Sequence, residues 1–322
     1  MRISIALCTY NGELYLQEQL RSILEQSRLP DEVVICDDCS TDTTWTILEN
    51  FKSKASFEVR LIKNHSNLGS TANFAKAIDS CSGDIIFLAD QDDIWLPQKI
   101  EIMAEIFEND PDVGMAFSDA YVTNDLLQPY PRSLWQYIGF DNNIRGLCEK
   151  GRFWEVLANE SYVTGATMAF HSKWKLLLYP FPGDWIHDEW ITFLTSLFSQ
   201  VRAVPDKLIM YRKHSNQQIG VKIKSTFVRL RLCVFPDQNR RRYKRYIDRM
   251  DNLLRRIIDF KEHLREPQMY EELIKRLEHW KIRYMLPKNP WKRWCAIRRE
   301  LAAGCYRKYS KSNRMALKDF FD

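Results

Sequence analysis

An α/β domain followed by an all-helical extension is the architecture this sequence predicts, and three observations carry that expectation. Short apolar runs alternate with segments of helical period through the first 120 residues. The residues just after those runs are polar and rich in carboxylates, and beyond residue 220 the strand pattern stops. In order, Ile3–Cys8 is a short apolar run, and Tyr15–Gln26 places Leu16, Leu20, Ile23 and Leu24 at helical spacing before Pro30. Glu32–Asp37 is apolar and β-branched. Ser40-Thr41-Asp42 reads as a cap for a helix over Thr43–Phe51, with Trp45, Leu48 and Phe51 on one face. Phe57–Lys63, a helix over Ser70–Ser80, Ile85–Ala89, a helix over Pro97–Phe107 and Val113–Ser118 continue the alternation. That order implies a mainly parallel sheet with helices on both faces. Residues 121–160 carry no clear period. Val163–Phe170, Val201–Val204 and Leu208–Tyr211 read as later strands around a helix over Glu189–Phe198. From Val221 long helical periods are broken at Pro236, Pro267, Pro287 and Pro290, which sets a boundary near residue 220: a catalytic domain over 1–220 and a basic helical extension over 221–322.

The composition narrows the function classes. With 322 residues, 45% hydrophobic and 28% charged, the chain can bury a real core, and 11 glycines and 12 prolines are too few for a fibrous or low-complexity protein. No apolar stretch approaches the roughly 18–20 residues of a spanning helix, and the opening run turns polar at Thr9-Tyr10-Asn11 too soon for a secretory signal. A cytoplasmic protein with reduced thiols is expected from this and from eight cysteines without framework spacing. The net charge of +5 hides an asymmetry: residues 1–220 hold 19 Lys+Arg against 30 Asp+Glu, a net of −11, and residues 221–322 hold 28 against 12, a net of +16. A basic extension of that kind points to a polyanionic partner, nucleic acid or an anionic membrane surface.

In open α/β sheets ligands bind beyond the carboxyl ends of the strands. Here those ends read Thr9-Tyr10-Asn11-Gly12, Asp37-Asp38-Cys39-Ser40-Thr41-Asp42 and Asp90-Gln91-Asp92-Asp93. No G-x-G-x-x-G and no G-K-[ST] occurs among them, which excludes a dinucleotide-binding dehydrogenase and a P-loop NTPase. Carboxylates crowded on the Asp90–Asp93 turn repel one another unless a hard cation such as Mg²⁺ or Mn²⁺ lies between them; a solvated acidic turn is the plainer alternative. Asp37 or Asp38 at a strand end can accept the N3–H of a uracil or thymine ring, or serve only as turn residues. Cys36 and Cys39 match C-x-x-C, but no second pair completes a zinc site, and Cys36 reads as core.

These segments resemble family-2 glycosyltransferases of the GT-A fold, a Rossmann-related α/β architecture. The matching stretches are I-A-L-C-T-Y-N-G at the start, V-V-I-C-D-D-C-S-T-D, N-L-G-S-T-A-N at Asn67–Asn73 and D-I-I-F-L-A-D-Q-D-D-I-W-L-P-Q-K at Asp84–Lys99, in the family's order. The D-Q-D-D-I-W variant, with T-G-A-T-M at Thr164–Met168, H-D-E-W at His187–Trp190 and Y-R-K-H-S-N at Tyr211–Asn216, is similar to bacterial rhamnosyltransferases that build surface polysaccharides such as O-antigen or capsule. The resemblance covers residues 1–220. It implies an inverting, metal-dependent transfer from a dTDP- or UDP-linked sugar, rhamnose first among them, to a polyprenyl-linked or growing glycan. Thr9, Tyr10, Asn11, Asp37 and Asp38 would embrace the nucleoside, with Asn67, Asn73 and Asp90 around the nucleotide, and Asp92 would hold the metal with Asp90 and His214 beside it. The basic residue common before Asn73 is Ala72 here.

By the same resemblance His187-Asp188-Glu189 occupies the place of an acidic pair, with His187 where Glu is usual and Asp188 in the slot of the general base. Asp188 reads equally as an N-cap of the following helix, and Glu189 competes for the role of base. Arg212 offers a fork for the donor diphosphate and His214 a ring nitrogen for the metal. Trp185 and Trp190 bracket the base as faces for a sugar ring, or as core anchors. In the extension, Pro236–Tyr246 is densely cationic, and Trp291, Trp294, Cys295, Ile297, Leu301, Ala302 and Cys305 form one arc of a helix, with Lys292, Arg293, Arg299 and Arg307 opposite and Arg298 inside the arc. Such a helix would lie on the cytoplasmic face of the inner membrane, or dock onto a protein. Two other classes remain in view: a sugar-nucleotide-forming nucleotidyltransferase, which calls for a Gly-rich basic loop after the first strand, and a non-enzymatic nucleic-acid- or membrane-binding scaffold. Nucleic acid is disfavoured by the acidic first 220 residues and the lack of a recognised motif.

Overall fold

The structure is a computed structural model that describes residues 1–214, 217, 236–310 and 312–321. Its contacts divide the chain into two units, Met1–Leu157 with Ser161–Val221, and Ala158–Glu160 with Lys222–Asp322.

The first unit is built on β1 (Ile3–Thr9), α1 (Leu16–Leu24), β2 (Glu32–Asp37), α2 (Thr44–Lys54), β3 (Glu58–Lys63), α3 (Ser70–Ser80), β4 (Ile85–Ala89), β5 (Ile94–Trp95) and α4 (Lys99–Asn109). It continues through β6 (Val113–Thr123), β7 (Pro129–Ser133), α5 (Leu134–Ile138), α6 (Asn142–Glu149), α7 (Trp154–Leu157), β8 (Met168–His171), α8 (Lys175–Leu178), α9 (His187–Phe198) and β9 (Gln200–Arg212). One sheet runs in the order β3-β2-β1-β4-β8-β6-β9-β5, with β7 on β6. β3, β2, β1 and β4 are parallel; β8 enters antiparallel between β4 and β6, and β9 returns parallel to β6. The sheet is therefore mixed and mostly parallel. Strands β1, β2 and β4 are buried along their whole length, which is why they read as unbroken apolar runs rather than alternating ones.

Several boundaries moved. The two short strands read over 201–211 are one strand, because β9 pairs with β6 from Gln200 to Arg212, while Ile209 and Met210 also pair with β5. The start of the Val163–Phe170 run is a 3₁₀ turn at Gly165–Thr167, leaving only Met168–His171 as strand. The cap expected at Ser40–Asp42 falls on Thr43, which makes no side-chain cap bond, and Asp42 just before it accepts from the Thr44 amide at 3.0 Å.

At the amino edge of the sheet Glu32 is buried and binds Ser4 Oγ at 2.5 Å, Arg60 at 2.7 Å and the Gly83 amide at 3.1 Å. Burial pushes its carboxyl up, and hydrogen bonds from Ser4, from the Ser82 amide and hydroxyl and from Arg60 more than reverse that, holding it at about 2.

The described part of the second unit is helical: α10 (Pro236–Ile257), α11 (Gln268–Tyr284), α12 (Pro290–Ala302), α13 (Cys305–Tyr309) and α14 (Arg314–Phe321). Pro236 and Pro290 open helices rather than interrupting them, since the first turn has no use for the missing N–H. The arc expected to run from Trp291 to Cys305 is corrected. Gly304, at φ +71°, ends the helix, Ile297 is fully buried with Leu286, Tyr306 and Ala316, and Leu301 packs against that cluster. Only Trp291, Trp294, Cys295 and Ala302 of the arc stay exposed. No described helix is long and apolar enough to cross a membrane.

Candidate active site

The carboxyl ends of β1, β2 and β4 open into a cleft of about 580 Å³. Thr9, Tyr10, Asn11, Asp38, Asn73, Asp90, Asp92, Asp188, Glu189 and His214 all line it. Most of the residues the sequence singled out thus meet in one place, although they come from strands and helices far apart in the chain.

Neighbouring strand-end residues have different tasks. Asp37 is fully buried: Oδ1 accepts from Thr9 Oγ1 at 2.8 Å and from Ser40 Oγ at 2.5 Å, and Oδ2 from the Ser40 amide at 3.0 Å. It does not line the cleft, so its expected contact with a nucleoside is corrected to one of holding the loop in shape. Asp38 faces the cleft and is clamped by the Leu68 and Gly69 amides, at 2.8 and 2.9 Å, and by Asn64 Nδ2 at 2.8 Å. Asn73 is likewise structural through its side chain, donating to Cys36 O at 2.9 Å and accepting from Asn64 at 2.9 Å. Asn67 is exposed and accepts from Gly69 N at 3.1 Å, shaping the turn that feeds Asp38. Asn11, at φ 47°, accepts from the Thr41 amide at 2.9 Å. Gln91 spans Tyr10, accepting from its amide at 2.8 Å and donating to its carbonyl at 3.0 Å. Any side chain at Gly12 would collide with that glutamine, a Cβ lying 2.3 Å from Oε1.

The acidic turn is crowded. Burial, then Asp92, then Asp188 push the Asp90 carboxyl up to about 7, against the opposing pull of Lys99. Lys99 is itself buried, donates to Ala166 O at 2.6 Å and lies 3.7 Å from the Trp95 ring centroid; burial lowers its ordinary value despite Asp93 and Asp90. Asp92 Oδ2 meets His214 Nε2 at 2.8 Å, and His214 Nδ1 has no partner among the described residues. A carboxylate and an imidazole side by side at the mouth of a cleft, with a second carboxylate crowded behind them, fit a divalent cation. The expected triad is not preassembled. Among the described residues, the one trio of His, Cys, Asp or Glu side chains with ligand atoms within 4.8 Å of one another is His279, Glu300 and Cys305 in the second unit. There both His279 nitrogens are engaged, with Glu300 at 2.5 Å and Ser310 at 2.7 Å, so that group ties helices together.

Arg212 is engaged on every side by groups of the protein itself. Its amide binds Asp93 at 3.0 Å, Nε the Asp92 carbonyl at 3.0 Å, Nη1 the Asp125 carbonyl at 2.6 Å and Nη2 the Glu18 carboxylate. With its guanidinium committed and the residue 2% exposed, Arg212 braces the acidic turn, and the expected diphosphate contact is corrected. Of the motif at Tyr211–Asn216, Ser215 and Asn216 lie outside the described residues.

Helix α9 begins at His187, with Ile186 as N-cap, so Asp188 sits inside the first turn instead of capping it. Its Oδ2 accepts from the Gly165 amide at 3.1 Å and Oδ1 from the Glu189 amide at 2.7 Å, which aims the carboxylate along the cleft wall. A Cβ at Gly165 would lie 2.9 Å from His187 Nε2, so the His187 ring would have to shift to admit one. His187 stacks on Phe74 at 4.0 Å, its ring nitrogens have no partner among the described residues, and burial pushes it down to about 3. Trp190 is fully buried and donates to Leu178 O at 2.8 Å; Trp185 packs 5.3 Å from it and 5.9 Å from Phe193. Neither faces the cleft, and the sugar-stacking role expected of them is corrected to core anchorage.

Residues 4–157 match the family model for glycosyl transferase family 2. Those residues belong to that family. Among curated relatives of this glycosyltransferase, the dTDP-rhamnosyl transferase RfbG of Shigella flexneri is 37% identical over 99 residues, 30% of this chain and 34% of that one. The matched share of the relatives' own length ranges from 34% to 68% across the glycosyltransferases most relevant here. Among solved structures, Staphylococcus aureus TarS 1-349 in complex with UDP-GlcNAc superposes with a TM-score of 0.56 at 15% identity, over 92% of this chain and 80% of that one. Mannosyltransferase PcManGT of Pyrobaculum calidifontis, in complex with GDP-Man and Mn²⁺, gives 0.51 at 19%, over 99% and 84%. These two share the fold of this glycosyltransferase.

The residues that pattern reading did not assign are Lys99, Gln91, Asn64 and Glu18. Each acts through a partner between 26 and 194 positions away. Only Gln91 and Lys99 carried a signal, as letters of the acidic motif.

Proposed function

We propose that this glycosyltransferase moves a sugar, with inversion, from a uracil or thymine nucleoside diphosphate to a hydroxyl of a lipid-linked or growing surface glycan, with dTDP-rhamnose as the leading donor. The observation that carries the reading is the Asp188 carboxylate, held by the Gly165 amide on the wall of the cleft that Asp38, Asp90 and Asp92 also line. In the step, the acceptor oxygen forms a bond to the anomeric carbon as the bond from that carbon to the diphosphate oxygen breaks, and Asp188 takes the hydroxyl proton. Glu189, next along the helix and also in the cleft, is the competing base.

Asp38 is proposed to accept from the base N3–H, with Thr9, Tyr10 and Asn11 forming the rim around the nucleoside. Asp92 and His214 would hold a divalent ion, and such an ion offsets negative charge gathering on the departing diphosphate. The ion proposed is Mg²⁺ or Mn²⁺, and the Mn²⁺ in the complex of the P. calidifontis mannosyltransferase supports a divalent cation at such a site. The RfbG relationship supports rhamnose. The division of labour proposed is catalysis in residues 1–220 and attachment through residues 221–322 at the cytoplasmic membrane face, where a polyprenyl-linked acceptor would be confined.

A donor panel tests the reading. Thermal stabilisation by dTDP- and UDP-sugars with Mn²⁺, stronger than by GDP-sugars, is expected, since bound ligand raises stability by mass action. Competition by GDP equal to that by dTDP and UDP overturns the base pocket, and exclusive use of a UDP-hexose removes rhamnose alone. Asp92→Asn and EDTA should each abolish transfer with the fold intact; full activity in EDTA removes the ion.

A further inference from the structure

The outer corner of the second unit formed by α12 and α14 has the make-up of an interfacial anchor. Trp291 is 73% exposed, Phe321 81% and Leu317 62%. Trp294 lies 5.9 Å edge-on to Phe320, which is 5.2 Å from Phe321, so the two helices present one aromatic patch. The sequence placed membrane contact on one helix face that included Ile297 and Leu301. Folding turns Ile297 inward and brings in the last helix, a segment the helical arc did not contain.

Charges sort in the same direction. The carboxylates of these helices face inward: Glu300 is held by His279 at 2.5 Å, and Asp319 is fully buried against Arg283 at 2.6 Å. Lys292, Arg298 and Arg299 of α12, and Lys288 just before it, are exposed, and none has a carboxylate partner in an ion pair among the described residues. Acids inside and unpaired bases around exposed aromatics make a surface complementary to anionic lipid, where tryptophan and phenylalanine sit at headgroup depth and the bases meet lipid phosphate.

We infer that the aromatic corner made by Trp291, Trp294, Phe320 and Phe321, ringed by these lysines and arginines, inserts into an anionic lipid surface. The inference deepens the proposed membrane location and stands apart from the catalytic reading, because it is tested without donor or acceptor. Vesicles of phosphatidylcholine, with and without one third phosphatidylglycerol, are sedimented with the full chain. Binding is expected with the anionic vesicles only, weakened but not lost in high salt.

Trp291→Ser with Phe321→Ser should lower the partition coefficient about tenfold or more while leaving the melting temperature unchanged, since both side chains are exposed. Each of Lys292→Gln and Arg298→Gln should lower it about fivefold, the equivalent of about 1 kcal/mol per basic residue near the surface. Recovery of the full chain in the supernatant with and without anionic vesicles overturns the inference. So does unchanged binding of the aromatic variant. Self-association in size exclusion that the same double variant abolishes, without vesicle binding, assigns the corner to a second copy instead and also overturns it.

Discussion

Arg283 in the second unit is buried and Asp90 in the first is half-buried on the cleft wall, and their surroundings are opposite. The Arg283 guanidinium binds Asp319 at 2.6 and 2.9 Å, the Tyr243 hydroxyl at 2.7 Å and Ser310 at 2.7 Å, while Tyr306 donates to Asp319 at 2.7 Å. Burial alone would lower its ordinary value; Asp319 reverses that and holds the charge in place. Asp90 has carboxylates for neighbours and is pushed up to about 7. Both arrangements are mostly polar, but only one is self-sufficient. A buried charge with all its partners is scaffold, and one crowded by like charges at the mouth of a cleft waits on something that binds.

The largest effect that would sharpen this contrast belongs to the cleft. Asp188→Asn should keep donor binding and lower the transfer rate by about 10²–10⁴-fold, with Glu189→Gln milder, in single-turnover assays. A deader Glu189→Gln would exchange the two roles. Next comes the scaffold. Arg283→Met leaves Asp319 buried without its counter-charge and should cost about 3–5 kcal/mol, read as faster hydrogen exchange along Gln268–Tyr284, with no direct effect on the chemistry of the cleft. Unchanged exchange would show that the network is not what holds these helices.

A smaller effect depends on pH. His187 is held near 3 by burial, below its unfolded value near 6.5, so the unfolded chain takes up the proton first as pH falls. The stability contributed by a neutral His187 is full above about 6.5 and declines below it, by about 2 kcal/mol at pH 5. His187→Leu should flatten that limb in urea titrations at pH 5 and 7.5, and an acid limb as steep as the wild type's would contradict this account. The smallest effect belongs to Trp291→Ser, which should change stability by less than about 0.5 kcal/mol despite removing the largest side chain type. A greater loss would mean that the residue packs in solution.

The cleft was legible in outline because its parts are local. A strand buried on both faces must be an unbroken apolar run, and the polar residues that follow it must sit at the sheet's carboxyl edge, so Thr9, Asp38, Asp90 and Asp92 could be placed before any coordinates. The corrections have one cause. Asp37 and Asp38 are the same residue type one position apart, and nothing in the chain says which turns to Ser40 and which to the cleft. Arg212 and Trp190 look available until Glu18, Asp125 and Leu178 arrive from elsewhere in the chain.

The sequence by itself determined the main alternation of strands and helices over the first 120 residues, the acidic strand ends and the opposed charges of the two regions, since periodicity and composition are set by neighbours along the chain. The tertiary structure decided which of those side chains are spent on the scaffold and which remain for a ligand. It set Asp188 inside the first turn of its helix with the Gly165 amide at 3.1 Å, turned Ile297 inward, and joined Trp294 to Phe320 across two helices. The physical reason is that a polar or aromatic group is committed by whichever partner reaches it first in space, and the partners of Asp188 and Trp294 lie 23 and 26 residues away.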